Sequence, residues 1–184
     1  MAEGGNKLMT VDEFLAWTEG REGRWELEAG ALIEKSPRRA AHAETQATAA
    51  AALKASIRRA GASCHVAPEG AIVRIAPDTA YEPDGLVYCG PRSAPDAVEI
   101  REPTVAIEVI SEITAARDRG VKVQGYLSLP SVAHYLILDP ERRAVSHYWR
   151  GAAGAFESEA LTEGPLRLDP PGLALFVEEL FAPH

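Results

Sequence analysis

Polar and apolar positions alternate on both sides of a glycine through Trp25-Glu-Leu-Glu28, Ala29-Gly30 and Ala31-Leu-Ile-Glu34, and this period of two predicts a β-hairpin. Ahead of it, Thr10-Val-Asp-Glu13 has the form of a capping box, in which a hydroxyl and a carboxylate three residues later satisfy free helix amides. A short N-terminal helix burying Phe14, Leu15 and Trp17 follows from that start. After the hairpin, Ser36-Pro37 offers a capping hydroxyl and a proline where helices tolerate one, and the alanine-rich stretch from about Arg39 to Ala60 predicts a long helix ended by Gly61.

The pattern then turns to short apolar runs between turn-formers such as Pro77-Asp78 and Gly90-Pro91. Ala71–Ile75, Gly85–Tyr88 and Thr104–Ile110 read as strands, and the last is so apolar that it belongs at the centre of a sheet covered on both faces. A helix from Thr114 to about Ser128, weakened by Gly120 and Gly125, leads to a buried strand at Ala133–Leu138 and a further strand at Ala144–Trp149. A last short helix is expected near Leu173 to Leu180, and Gly151–Gly154 reads as a surface loop. The order of elements predicts a mixed α/β sheet with helices packed against it.

The length of 184 residues suits one domain over 1–184 with residues 1–8 as a flexible tail, and 46% hydrophobic with 25% charged residues is ordinary for a globular chain. Nineteen Lys and Arg against 27 Asp and Glu give a net charge of −8, which excludes a general DNA-coating role but leaves local basic groups such as Arg38, Arg39, Arg58 and Arg59. Cys64 and Cys89 lie far apart without metal or redox spacing and are expected to be apolar fillers. No apolar run is long enough to cross a bilayer and the start lacks the apolar segment of a secretion signal, so a cytoplasmic protein is expected.

Glu108 is the most informative residue, because a carboxylate inside an apolar central strand must be paired, protonated or bound to a cation. Asp84, at the start of the preceding strand, can face the same way. Two readings stand: a divalent cation such as Mg²⁺ or Mn²⁺ joins the two carboxylates, or Asp84 caps a turn while Glu108 meets an Arg or Lys. Lys122 either forms an i,i+4 pair with Asp118 or reaches across to the carboxylates. Glu26 and His42 either border the same pocket or face solvent. His134 reads as a satisfied strand residue and Ser111 lacks a nucleophile turn; neither a P-loop nor a dinucleotide fingerprint is present.

Taken together, Met9–Phe14, Trp25–Gly30, His42, Pro83-Asp84, Ile107-Glu-Val-Ile-Ser111, Asp118-Arg-Gly-Val-Lys122 with Tyr126, and Tyr135–Pro140 resemble the bacterial Uma-two family of restriction-endonuclease-like proteins, in the PD-(D/E)XK nuclease superfamily. The resemblance implies an αβββαβ core made by the helix near Arg39–Ala60, the strands ending at Tyr88 and Ile110, and the helix containing Lys122. It also implies that Asp84 and Glu108 bind Mg²⁺ or Mn²⁺ with help from the Val109 carbonyl, that Lys122 replaces the lysine the superfamily pattern would place at Ile110, and that Glu26 and His42 border the site. Glu112 adds a carboxylate where family members often have none.

The resulting expectation is a metal-dependent endonuclease, acting on DNA, with Asp84, Glu108, Lys122, Glu26 and His42 as its catalytic group. Its rivals are a catalytically silent binding or regulatory module of the same fold and a hydrolase of small phosphate esters. A homodimer is a further expectation, from exposed strand edges and the C-terminal Leu175, Phe176, Leu180 and Phe181, residues that equally suit closure of the monomer's core.

Overall fold

The computed structural model describes residues 8–67, 70–111, 113–151 and 154–181. The expected tail, apart from Leu8, lies outside them, as do Glu112 and the middle of the loop expected at Gly151–Gly154. Helix α1 (Val11–Thr18) starts on the predicted capping box, with the Thr10 hydroxyl accepting from the Glu13 amide and the Glu13 carboxylate accepting from the Thr10 amide. The hairpin forms as β1 (Trp25–Glu28) and β2 (Ala31–Glu34). Helix α2 (Ala40–Ala60) begins later than Ser36-Pro37 implied, because the Lys35 amide still donates to the Arg24 carbonyl and keeps the chain extended beyond the hairpin.

Strand β3 (Cys64–Ala67) follows, then β4 (Val73–Ala76), β5 (Thr79–Tyr81), β6 (Gly85–Cys89) and β7 (Pro103–Val109). The helix predicted over Thr114–Ser128 divides into α3 (Ala115–Asp118) and α4 (Val121–Ser128), since Gly120 between them takes a non-helical backbone with φ −111° and ψ −102°. Strands β8 (His134–Asp139) and β9 (Ala144–Arg150) match their predicted positions closely, and β10 (Phe156–Leu161) and β11 (Pro165–Leu168) come next. The predicted C-terminal helix is instead β12 (Leu173–Phe176) followed by one 3-10 turn at Val177–Leu180; Leu173 and Leu175 point inward and alternate with exposed Ala174 and Phe176, which is strand periodicity.

Six strands form the main sheet in the order β10-β9-β8-β7-β6-β3, antiparallel except for the central β7–β8 pair, while β2-β1-β5-β4 form a second sheet and β11-β12 a small ribbon. The expected αβββαβ order is therefore α2, β3, β6, β7, the α3–α4 pair and β8. Its first strand is Cys64–Ala67, not the Ala71–Ile75 run, whose strand joins the second sheet.

Period-two alternation divides β7 between two cores. Val105, Ile107 and Val109 pack with Leu53 and Ile57 of α2 and with Leu166, Leu175 and Leu180, whereas Ala106 and Ile110 face Tyr126 and Leu127 of α4. Leu175, Leu180 and Phe181 thus close the monomer's core, while Phe176 stays exposed. Cys64 and Cys89 are not separate fillers: they occupy directly paired positions of β3 and β6 and are joined by a disulfide, a pairing that their separation of 25 residues concealed.

Candidate active site

The alternation that buries Ala106 and Ile110 against α4 sends Glu108 to the same face, where it is 2% exposed. Lys122 and Tyr126, one turn apart on α4, answer it: the Lys122 ammonium lies 2.8 Å from Glu108 Oε1 and the Tyr126 hydroxyl donates to the same oxygen at 3.1 Å. Lys122 also donates to Glu26 Oε1 at 2.9 Å and lies 3.4 Å from Asp118 Oδ1. Both sequence readings of Lys122 hold at once, the i,i+4 pair and the reach to the carboxylates, and its three N–H donors meet three carboxylates.

Glu26 reaches this point from the second sheet. In β1, Leu27 packs under α1 while Glu26 and Glu28 project the opposite way, and Arg117 of α3 ion-pairs with both. Glu26 also accepts from the Glu82 backbone amide at 3.0 Å. Asp84 comes from the turn before β6, where its own amide donates to the Ile107 carbonyl at 2.9 Å. Its carboxylate accepts from the Val109 amide at 2.8 Å and faces His42 Nε2 at 3.2 Å and Arg38 Nη2 at 3.2 Å. Asp84 is held by a backbone amide, the His42 ring of α2 and the Arg38 guanidinium just before that helix, more than by a turn of its own.

Lys35, just past β2, stands among all three carboxylates. Its Nζ is 3.6 Å from Glu26 Oε1, 3.9 Å from Asp84 Oδ1 and 3.9 Å from Glu108 Oε2, and it donates to the Glu82 carbonyl at 2.5 Å. These groups line a cavity of about 460 Å³ whose wall also carries Arg24, Arg39, Arg119 and Arg142. Arg58 and Arg59 lie at the far end of α2, with Arg59 paired to Glu179 at 3.2 Å, and take no part.

The carboxylates respond differently to burial. It pushes the Glu108 carboxyl up to about 7 against the pull of Lys122 and Lys35, with the Asp84 and Glu26 charges adding to the rise. In Glu26 burial works the same way but is outweighed by Lys122, Lys35 and Arg117, so its acidity rises and it stays ionised. Asp84 likewise falls below the ordinary carboxylate range, since His42, Lys35 and the Val109 amide overcome its burial. Lys122, despite burial, is driven above the usual lysine range by Glu108, Glu26 and Asp118. In this setting Lys122 acts through its positive charge and its N–H donors.

Asp84, Glu108, Lys122, Glu26 and His42 thus converge, and Val109 contributes its amide to Asp84. Ser111 does not join them as a nucleophile; its hydroxyl and amide engage Thr114 in a local turn. His134 is buried and bonded to His147 at 2.9 Å, well away from the cavity lining. Sequence reasoning missed Lys35 and Arg117 as site groups, and it named Arg38 as a local basic group without its pairing to Asp84. Lys35 precedes Ser36-Pro37 and reads as a solvated residue; only the alternating hairpin, run one step further, hints at its direction.

A family model described as "Putative restriction endonuclease" matches residues 11–178. The chain belongs to this family, Uma2. The match spans every element from α1 into the 3-10 turn, so the family likeness includes both sheets that build the cavity. Among solved structures, a "putative nuclease belonging to DUF820" from Anabaena variabilis ATCC 29413 superposes with a TM-score of 0.74 at 18% identity, covering 94% of this chain and 97% of that one. That likeness establishes the shared fold. No curated protein matches the chain.

Proposed function

We propose that this Uma2 protein is a phosphodiester hydrolase acting on nucleic acid, DNA in the first instance, with Mg²⁺ or Mn²⁺ as its cofactor. The observation that carries the proposal is the convergence of Asp84 and Glu108 on a point ringed by cations, in a chain whose overall charge of −8 would otherwise repel phosphate. Family membership as a nuclease-like chain agrees with it.

Among the described residues no three His, Cys, Asp or Glu side chains already stand as a metal-holding group. The donor chemistry nevertheless fits a hard cation, because Asp84 Oδ1 and Glu108 Oε2 both face one positive centre, the Lys35 ammonium. Asp84 and Glu108 would hold the ion, with the Val109 carbonyl as the further ligand that the family resemblance implies. Bound there, the ion would make its water acidic and polarise the phosphate.

The chain's own groups supply the rest. Lys122 orients Glu108 and Glu26 through its 2.8 and 2.9 Å bonds and keeps a fixed positive charge beside the reacting phosphate. Tyr126 fixes the other approach to Glu108 Oε1. His42 and Arg38 hold Asp84 from the α2 side, and Arg117 ion-pairs with Glu26. Arg24, Arg119 and Arg142 offer the cavity wall to backbone phosphates.

The test is calorimetric titration of Mn²⁺ into metal-free protein, wild type against Glu108→Ala, with plasmid nicking on the same samples. Binding and nicking that both disappear in the variant are expected; a wild type that takes up no Mn²⁺, or a variant that still nicks, overturns the proposal. The cavity of about 460 Å³ also suits a compact ligand, which favours a small phosphate ester as the second reading. Cleavage of a nitrophenyl phosphate without plasmid nicking would select it.

A further inference from the structure

Two lysines enter the carboxylate cluster, and their attachments differ in kind. Lys122 is 3% exposed in its side chain, rooted in a helix and held by carboxylate oxygens at 2.8, 2.9 and 3.4 Å. Lys35 is 12% exposed, follows the free end of the hairpin and makes no carboxylate contact shorter than 3.6 Å. Its one short bond is to the Glu82 carbonyl, a neutral acceptor, at 2.5 Å. Lys35 is therefore attracted by charge to the centre of the cluster without being chelated there.

A divalent ion that joins Asp84 to Glu108 would have to lie between Asp84 Oδ1 and Glu108 Oε2, the two oxygens that the Lys35 ammonium faces at 3.9 Å each. An ion ligated by oxygens at roughly 2.0–2.2 Å cannot share the space between them with an ammonium group, and the two cations would repel strongly at such a separation. Lys35 lies beside Ser36, Pro37 and Arg38 on the cavity wall, so its flexible stem has open space into which to withdraw.

We propose that Lys35 is an internal cation that competes with the divalent ion, so that it sets the metal affinity of the site and keeps the carboxylates compensated when metal is scarce. Metal binding then proceeds as an exchange, with the ion entering between Asp84 and Glu108 while the Lys35 ammonium leaves toward the cavity mouth. There it joins Arg38 and Arg24, which line the same wall and pair with Asp84 and Glu82. The inference rests on the metal-dependent reading above and assigns to Lys35 a role outside the chemical step.

The experiment is Mn²⁺ titration calorimetry on the metal-free full chain at fixed pH and salt, for wild type, Lys35→Met, Lys35→Gln and Lys35→Arg. Both neutral variants are expected to bind Mn²⁺ at least about tenfold more tightly than wild type, whereas Lys35→Arg, which keeps the charge, stays near wild type. Thermal melts supply a second readout: in chelator the neutral variants melt below wild type, and saturating Mn²⁺ raises their midpoint by more. Equal affinity in wild type and both neutral variants, or weaker binding in them, overturns the role of Lys35 and leaves the metal site standing. No heat of binding in any of the four at millimolar Mn²⁺ overturns the metal reading and the competition together.

Discussion

Replacing Lys122 by methionine keeps most of the side chain's volume and deletes its charge and its N–H donors. In the folded protein that ammonium is 2.8 Å from Glu108 and 2.9 Å from Glu26, with all three side chains at most 3% exposed. Removing one partner of such a buried pair costs about 3–5 kcal/mol, because the remaining carboxylates face one another without water. In a chain of this size that is a fall in the melting midpoint of roughly 6–20 °C. The loss has a definite pH dependence. Glu108 already has a folded value near 7, above its ordinary 4.5, so its contribution to stability is complete below about 4.5 and is lost as pH rises through 7. Without Lys122 the folded value rises further, and the deficit of the variant against wild type is expected to widen between pH 5 and pH 8. Differential scanning calorimetry at both pH values measures it, and Lys122→Met combined with Glu108→Gln should recover part of the loss. A variant that melts within 2 °C of wild type, by the same scaling a loss under about 1 kcal/mol, would refute the reasoning. So would a deficit that does not change with pH.

Two further predictions concern the frame around the site. His134 is held down to about 4 by burial and by neighbouring His147, so its contribution to stability is whole above about 6.5 and is lost as pH falls through 4, in total about 3 kcal/mol; His134→Leu should flatten the acid limb of a melting-point against pH curve, and an unchanged limb would count against it. A β-carbon on Gly125 would stand 2.8 Å from Tyr81 Cε2 and 3.4 Å from Ile75 Cγ2, so Gly125→Ala should cost about 1–3 kcal/mol by urea unfolding despite alanine's better helix propensity, and a stabilised variant would contradict the packing argument.

What the sequence disclosed and what it hid follow one physical division. Glu108 was legible because a charge in an apolar run breaks a local rule, and Lys122 because helical spacing aligns it with Asp118. The capping box and the alternating hairpin were legible for the same reason, as their partners lie within a few residues. Lys35 and Arg117 obey every local rule, and their place in the site depends on Glu26 being carried across from the second sheet by the Leu27–Ala80 pairing of β1 with β5, while Arg38 enters it only through its long-range pair with Asp84. Strands β3, β5 and β11 escaped because they are only three or four residues long, and β10 because every residue but Leu161 is exposed, with Glu157 and Glu159 marking a charged edge that discourages further pairing. The C-terminal segment was misread as helix because six apolar residues among the eight of Leu173–Leu180 fit either period until Leu166 and Leu168 of β11 appear opposite them.

The same division bears on the acidity of the chain. A formal charge of −8 argues against a nucleic-acid enzyme only if the charge is spread evenly. Here the buried carboxylates Glu26, Asp84, Glu108 and Asp118 are matched within the cavity by Lys35, Lys122, Arg38 and Arg117, so the interior of the site is close to neutral as it stands. A divalent ion added to that balance would leave the wall net positive and draw in a phosphate by local field. If Lys35 withdraws as the ion enters, its charge moves to the mouth and is not lost. On the proposed function, an acidic protein would then present an attractive site to a polyanion only when loaded with metal, which would tie substrate capture to the presence of the proposed ion.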